Sequence, residues 1–245
     1  MLEPEFETSR HGAVHTLDRW VTGIAVSTIA VLPTLGVLLL KPQRLAQKLT
    51  EEVPDGNDDR LLAPGALFPL SLIVTLFVSA MLTTPETLQS NAAFLGPGLA
   101  IAVQNAAASG DFWGVAATVL PIYGFAIGVG LVGGLLSPFI GPAWTLRTSV
   151  RAGLYATAGV TAWIILSSSF IDILRVRFGL YDLGQTLYAW NSLPIAALSI
   201  WMYFGFIRAL GDHSKVKALV LAIAMLALIL MLGFVVQYLV LAKQT

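Results

Sequence analysis

Long apolar runs divided by short polar connections organise this chain. Crossing about 30 Å of hydrocarbon at 1.5 Å per residue takes roughly 20 mainly apolar residues, and five stretches qualify: 62–83, 112–140, 150–171, 186–208 and 216–242. The second is long enough to tilt or kink, and Pro121 and Pro138 mark the places. A sixth stretch, 20–40 ("WVTGIAVSTIAVLPTLGVLLL"), is nearly uncharged and carries Pro33 as a point of interruption. It reads either as a further span or as an apolar helix lying at the interface. The remaining connections are short, so neighbouring spans are expected to pack antiparallel. The predicted fold is an all-α polytopic membrane helix bundle of five spans, or six, with interfacial helices. Residues 1–61 form an N-terminal region containing 20–40, and 62–245 form the bundle.

Composition strengthens this reading. Hydrophobic residues make up 56% of the chain, charged residues 11%, and the mean hydropathy is +0.79, whereas about a quarter of residues are charged in soluble domains. Lys plus Arg balances Asp plus Glu at 14 each, leaving no cationic excess for nucleic acid. The chain has no cysteine, which removes disulfides, thiolate nucleophiles and Cys-based metal centres. The start, "MLEPEFETSRHGAVH", is polar and acidic, unlike a secretory signal.

Basic residues collect on the cytoplasmic side of membranes. With 20–40 not crossing, eleven Lys and Arg fall inside and three outside; with it crossing, nine and five. Both arrangements put 41–61 inside and the C-terminus outside. The five-span topology, with a cytoplasmic N-terminus, separates the charges better.

Candidate chemistry is sparse. No central part of a span holds an ionisable residue, although burying one is the usual mark of intramembrane catalysis. Asp111 and Asp172 stand at interface depth, the only placements from which a lipid-acting enzyme could draw an acid. Asp172, Arg175 and Arg177 could form an ion pair or contact a lipid headgroup. His11 and His15 share a helical spacing without a third ligand, so no metal is expected, and His213 sits in the polar turn "LGDHSKVK". The acidic loop 51–59 lacks the order of a calcium loop. The apolar segment 92–104 reads as interfacial or re-entrant. Asn191 and Pro194, in "NSLP" within the fourth span, need partners for an amide and for a carbonyl freed by the proline. They repair the kink locally, bond another helix, or line a polar path. No cofactor is expected.

"GVGLVGG", Gly128 to Gly134, has dinucleotide-binding spacing but lies deep in a hydrophobic run, without the strand and helix that motif requires. On a continuous helix, Gly130, Gly133, Gly134, Ser137 and Gly141 share a stripe about 100° wide, with Gly124 and Gly128 roughly opposite. Small residues let membrane helices approach closely, so two smooth faces predict a central span that packs on its neighbours, on another copy or on another subunit.

The run "KPQRLAQKL" (Lys41–Leu49), followed by "DDRLLAPGALFPLSLIV" (Asp58–Val74), resembles the Yip-domain family and its bacterial relatives. There a basic segment with a proline leads through Arg-x-x-x-Pro-x-x-x-Phe, here Arg60, Pro64 and Phe68, into the first of five spans. The resemblance implies a non-catalytic membrane organiser. Together these readings give an accessory subunit or organiser in a bacterial inner membrane, in contact with lipids and with other membrane subunits or copies of itself. The alternative is a small transporter or channel for a neutral or apolar solute.

Overall fold

The computed structural model describes residues 29–50, 61–72, 124–211 and 213–242, and all regular structure within them is helical. His11, His15, the loop 51–59, Arg60, the segment 92–104, Asp111 and Pro121 lie outside the described residues. In chain order the elements are α1 (Ile29–Leu40), a 3-10 turn (Pro42–Leu45), α2 (Ala46–Thr50), α3 (64–72) and α4 (Gly124–Gly134). Then follow α5 (Ser137–Ile140), α6 (Leu146–Phe178), α7 (Tyr181–Trp190), α8 (Ser192–Leu210) and α9 (Lys215–Ala242).

Three of these stretches are long and apolar enough to cross a membrane: Leu146–Phe178, Tyr181–Leu210 and Lys215–Val235. They coincide with the expected spans 150–171, 186–208 and 216–242. The described parts of 20–40, 62–83 and 112–140 are shorter helices.

Helix α6 is longer than the expected span because hydropathy marks the apolar stretch, not the helix ends. Its 33 residues are capped at Thr145, whose hydroxyl accepts from the Thr148 N–H at 3.2 Å. It stops at Gly179, whose φ of 67° is the left-handed conformation glycine adopts without Cβ strain. The Leu180 N–H then closes on the Leu174 carbonyl at 3.1 Å. Arg151 and Arg175 are separated by about 36 Å along this helix, so cations bracket its apolar middle.

The 112–140 stretch does not continue as one helix. α4 ends at Gly134, Leu135 and Leu136 form a turn, α5 lasts four residues, and Gly141 turns the chain with φ 121°. Pro138, in the first turn of α5, lacks the N–H that a continuing helix would need. Trp144 folds back instead and donates its indole N–H to the Gly133 carbonyl at 3.3 Å. The expected break near Pro138 is therefore present. The common stripe through Ser137 and Gly141 is not, because it assumed unbroken helical rotation. The interruption expected at Pro33 is also absent: α1 runs through it, forgoing one N–H bond to the Ile29 carbonyl.

The fourth expected span divides at Asn191, with α7 before it and α8 after. Among the three long described helices, α6 is the most buried. Half of the apolar window of α6 is buried (50%), against 22% for α9. Tyr155 of α6 meets Phe206 of α8 with ring centroids 6.2 Å apart, and Leu38, Phe68 and Met202 are fully buried in the same core.

Candidate functional site

Close approach begins where two glycines face each other. A Cβ on Gly130 of α4 would overlap the Val150 Cα of α6, and one on Gly153 would lie 2.8 Å from the Gly130 nitrogen and 2.9 Å from the Ala126 carbonyl oxygen. Ser149 closes the seam by donating to the Gly130 carbonyl at 2.6 Å. Further along α4, a Cβ on Gly133 would stand 2.6 Å from both Met225 Cε and Ser149 Oγ, and one on Gly134 would stand 2.8 Å from Leu146. Gly128 has room, its nearest neighbour among the described residues being Leu232 at 3.4 Å, and Gly124 and Gly141 have none of the described residues within 4 Å. Ser137 is half-buried in its own short helix.

The glycine stripe thus separates into a seam used within the chain and positions with no close neighbour among the described residues. Gly153 was not singled out by its sequence, although Ser149-x-x-x-Gly153 on α6 is the small-xxx-small spacing that permits such approach.

Carbonyls at the ends and entrances of the interrupted helices lack intrahelical donors, and side chains from the long helices and from the turn before α9 supply them. The Trp201 indole donates to Leu39 O at 2.9 Å, Arg151 Nη1 to Leu49 O at 3.0 Å, and the Tyr155 hydroxyl to Leu62 O at 2.6 Å. His213 Nε2 meets Ile140 O at 2.7 Å; a carbonyl only accepts, so that ring nitrogen carries the proton. These contacts join the end of α1 to the middle of α8, the end of α2 and the start of α3 to the first part of α6, and the end of α5 to the turn before α9. Lys41, Arg44, Lys48, Arg147, Arg151, Arg208, Lys215 and Lys217 lie on or next to the segments so joined. Pro64 opens α3 and Phe68 is fully buried.

Asn191 is 7% exposed and donates from Nδ2 to Ser167 Oγ on α6 at 3.0 Å. Ser167 in turn donates to Ile164 O at 3.1 Å. The amide therefore bonds across helices at the break and does not cap α8. Pro194 stands in the first turn of α8, where the helix restarts after the turn at Asn191.

At the other end of α6, Asp172 is 8% exposed while Arg175 and Arg177 are exposed. Among the described residues no ion pair joins Asp172 to either arginine. The Arg175 stem instead runs over Gly184 of α7, so close that a Cβ there would overlap its Cγ. The aliphatic stem packs and the guanidinium reaches outward, as long cationic side chains do at membrane boundaries.

No family model matches this chain, and no curated protein or solved structure matches it either.

Proposed function

We propose that the protein is a non-catalytic organiser or accessory subunit of a larger membrane assembly. The observation that carries this reading is the use to which polar side chains are put. Ser149, Tyr155, Asn191 and Trp201 each tie one segment to another, and the ionisable residues of the described spans do not converge on a common cavity. Such a bundle is built to hold a shape. Its Gly130–Gly153 seam serves the chain's own fold, so assembly contacts fall on other surfaces, above all the outer face of α9 with Leu230, Met231, Phe234 and Val235 exposed. The Yip-domain resemblance of Lys41–Val74, a cytoplasmic N-terminus and a bacterial inner-membrane location belong to the same proposal.

The test combines light scattering in mild detergent with photo-crosslinkers placed at Leu230 and Phe234 in intact membranes. A discrete adduct with a membrane subunit or a second copy is expected. A monomer at every concentration, with no adduct at either position, ends the reading. The transporter alternative rests on Asn191, which is engaged with Ser167, and on the segment 92–104, which lies outside the described residues.

A further inference from the structure

Helices α8 and α9 do not close fully on each other. A groove of about 500 Å³ lies between them, walled by Ile200, Trp201 and Phe204 from α8 and by Val216 and Leu219 from α9. Among the described residues, Lys215 is the one charged residue of its lining, and the surface of the groove is otherwise apolar. Its floor is fixed: Trp201 and Phe204 stack with centroids 6.2 Å apart at 26°, and the Trp201 indole is held by the Leu39 carbonyl. The α9 wall continues as an outward stripe at helical spacing, Val216, Leu219, Val220 and Ile223, all exposed. An apolar trough open to the hydrocarbon, with one cation in its lining, matches a molecule that has a fatty chain and an anionic head.

Charge complementarity chooses among such molecules. α9 begins with Lys215 and Lys217 and has no acidic residue in its first turn, where a cation opposes the helix dipole and an anion complements it. Arg208 ends α8 close by, and the 208–217 stretch holds three cations against one carboxylate, Asp212. We infer that the α8–α9 groove binds one anionic phospholipid, its acyl chain on Trp201 and Phe204 and its phosphate at Lys215. Basic residues beside a span draw anionic lipid from the leaflet they face.

The test is native mass spectrometry of the full chain in detergent, titrated with phosphatidylglycerol or phosphatidylcholine of the same acyl chains. Phosphatidylglycerol should be retained about tenfold better, and Lys215→Gln, a change at an exposed position, should bring it to the phosphatidylcholine level. Leu219→Trp, which fills the groove, should reduce both. Phosphatidylglycerol brominated on its acyl chain should quench the fluorescence of the wild-type chain, and this quenching should fall on Trp201→Phe. Equal retention of the two lipids, or a preference that survives both Lys215→Gln and Leu219→Trp, overturns the proposal. So does quenching unaffected by loss of Trp201. Saturation of the groove by a second copy of the chain, seen as a dimer lost on Leu219→Trp without lipid preference, also overturns it.

Discussion

Gly153 of α6 meets Gly130 of α4 backbone against backbone, with space for a Cβ on neither residue. The contact depends on both side chains being hydrogen, and it sets how closely α4 lies on α6. Gly130→Leu and Gly153→Leu should each cost about 1–3 kcal/mol, the usual penalty for forcing volume into a packed seam. Thermal unfolding in detergent reads the loss. Gly124→Ala is the contrasting change: with none of the described residues within 4 Å, it should be neutral or stabilising by up to about 1 kcal/mol, since Ala is the better helix former. An equal loss at all three positions would show that the seam has no special role.

Tyr203 is buried at 1% exposure, and its hydroxyl has no hydrogen-bond partner among the described residues. An unbonded buried hydroxyl is a cost that its removal relieves. Tyr203→Phe keeps the ring that meets Phe206 edge-on at 6.4 Å and should raise stability by about 1 kcal/mol. A lowered melting temperature would reveal a partner for the hydroxyl.

The Asn191–Ser167 bond makes a quantitative statement about the break in the fourth span. A double-mutant cycle with Asn191→Leu and Ser167→Ala should give a coupling of about 0.6 kcal/mol, and no more than about 2, the range for side-chain hydrogen bonds between membrane helices. Zero coupling would mean that the two side chains do not bond. Solute flux in proteoliposomes abolished by Asn191→Leu would favour the transporter reading.

Tyr155 anchors the start of α3 through the Leu62 carbonyl. Tyr155→Phe keeps the ring against Phe206 and removes only the donor. Amide hydrogen exchange in 61–72 should then rise by about tenfold, the equivalent of roughly 1.4 kcal/mol of lost local stability. Unchanged exchange would show that packing and the Leu62 N–H bond to Thr34 Oγ1 hold α3 without the Tyr155 hydroxyl.

The number of spans is open to a direct reading. A reporter fused ahead of residue 20 should give a cytoplasmic signal if 20–40 does not cross. A signal from the outer face would establish that it does.

Much of the helical architecture was legible in the chain itself, because its signals are local. The apolar runs at 150–171, 186–208 and 216–242 locate three helices long enough to cross a membrane, and the break near Pro138 follows from a missing N–H. Gly130 was marked as a close-approach position by its spacing. Its partner Gly153 is not marked out by the sequence despite the Ser149-x-x-x-Gly153 spacing, because a small residue on a helix does not announce which neighbour it will face. Ser137 and Gly141 share that stripe only on a continuous helix, and the turn at Leu135–Leu136 takes them off it.

The sequence by itself determined a helical chain with stretches long and apolar enough to cross a membrane. Stretches so apolar favour lipid over water, and a backbone in lipid must satisfy its hydrogen bonds within the helix. The tertiary structure alone decided which carbonyls the side chains complete. Trp201 reaches Leu39, Arg151 reaches Leu49 and His213 reaches Ile140 across separations of 162, 102 and 73 residues. Helical periodicity assigns a residue to a face, but the partner of that face depends on how the helices pack, and over such distances no local pattern carries that information.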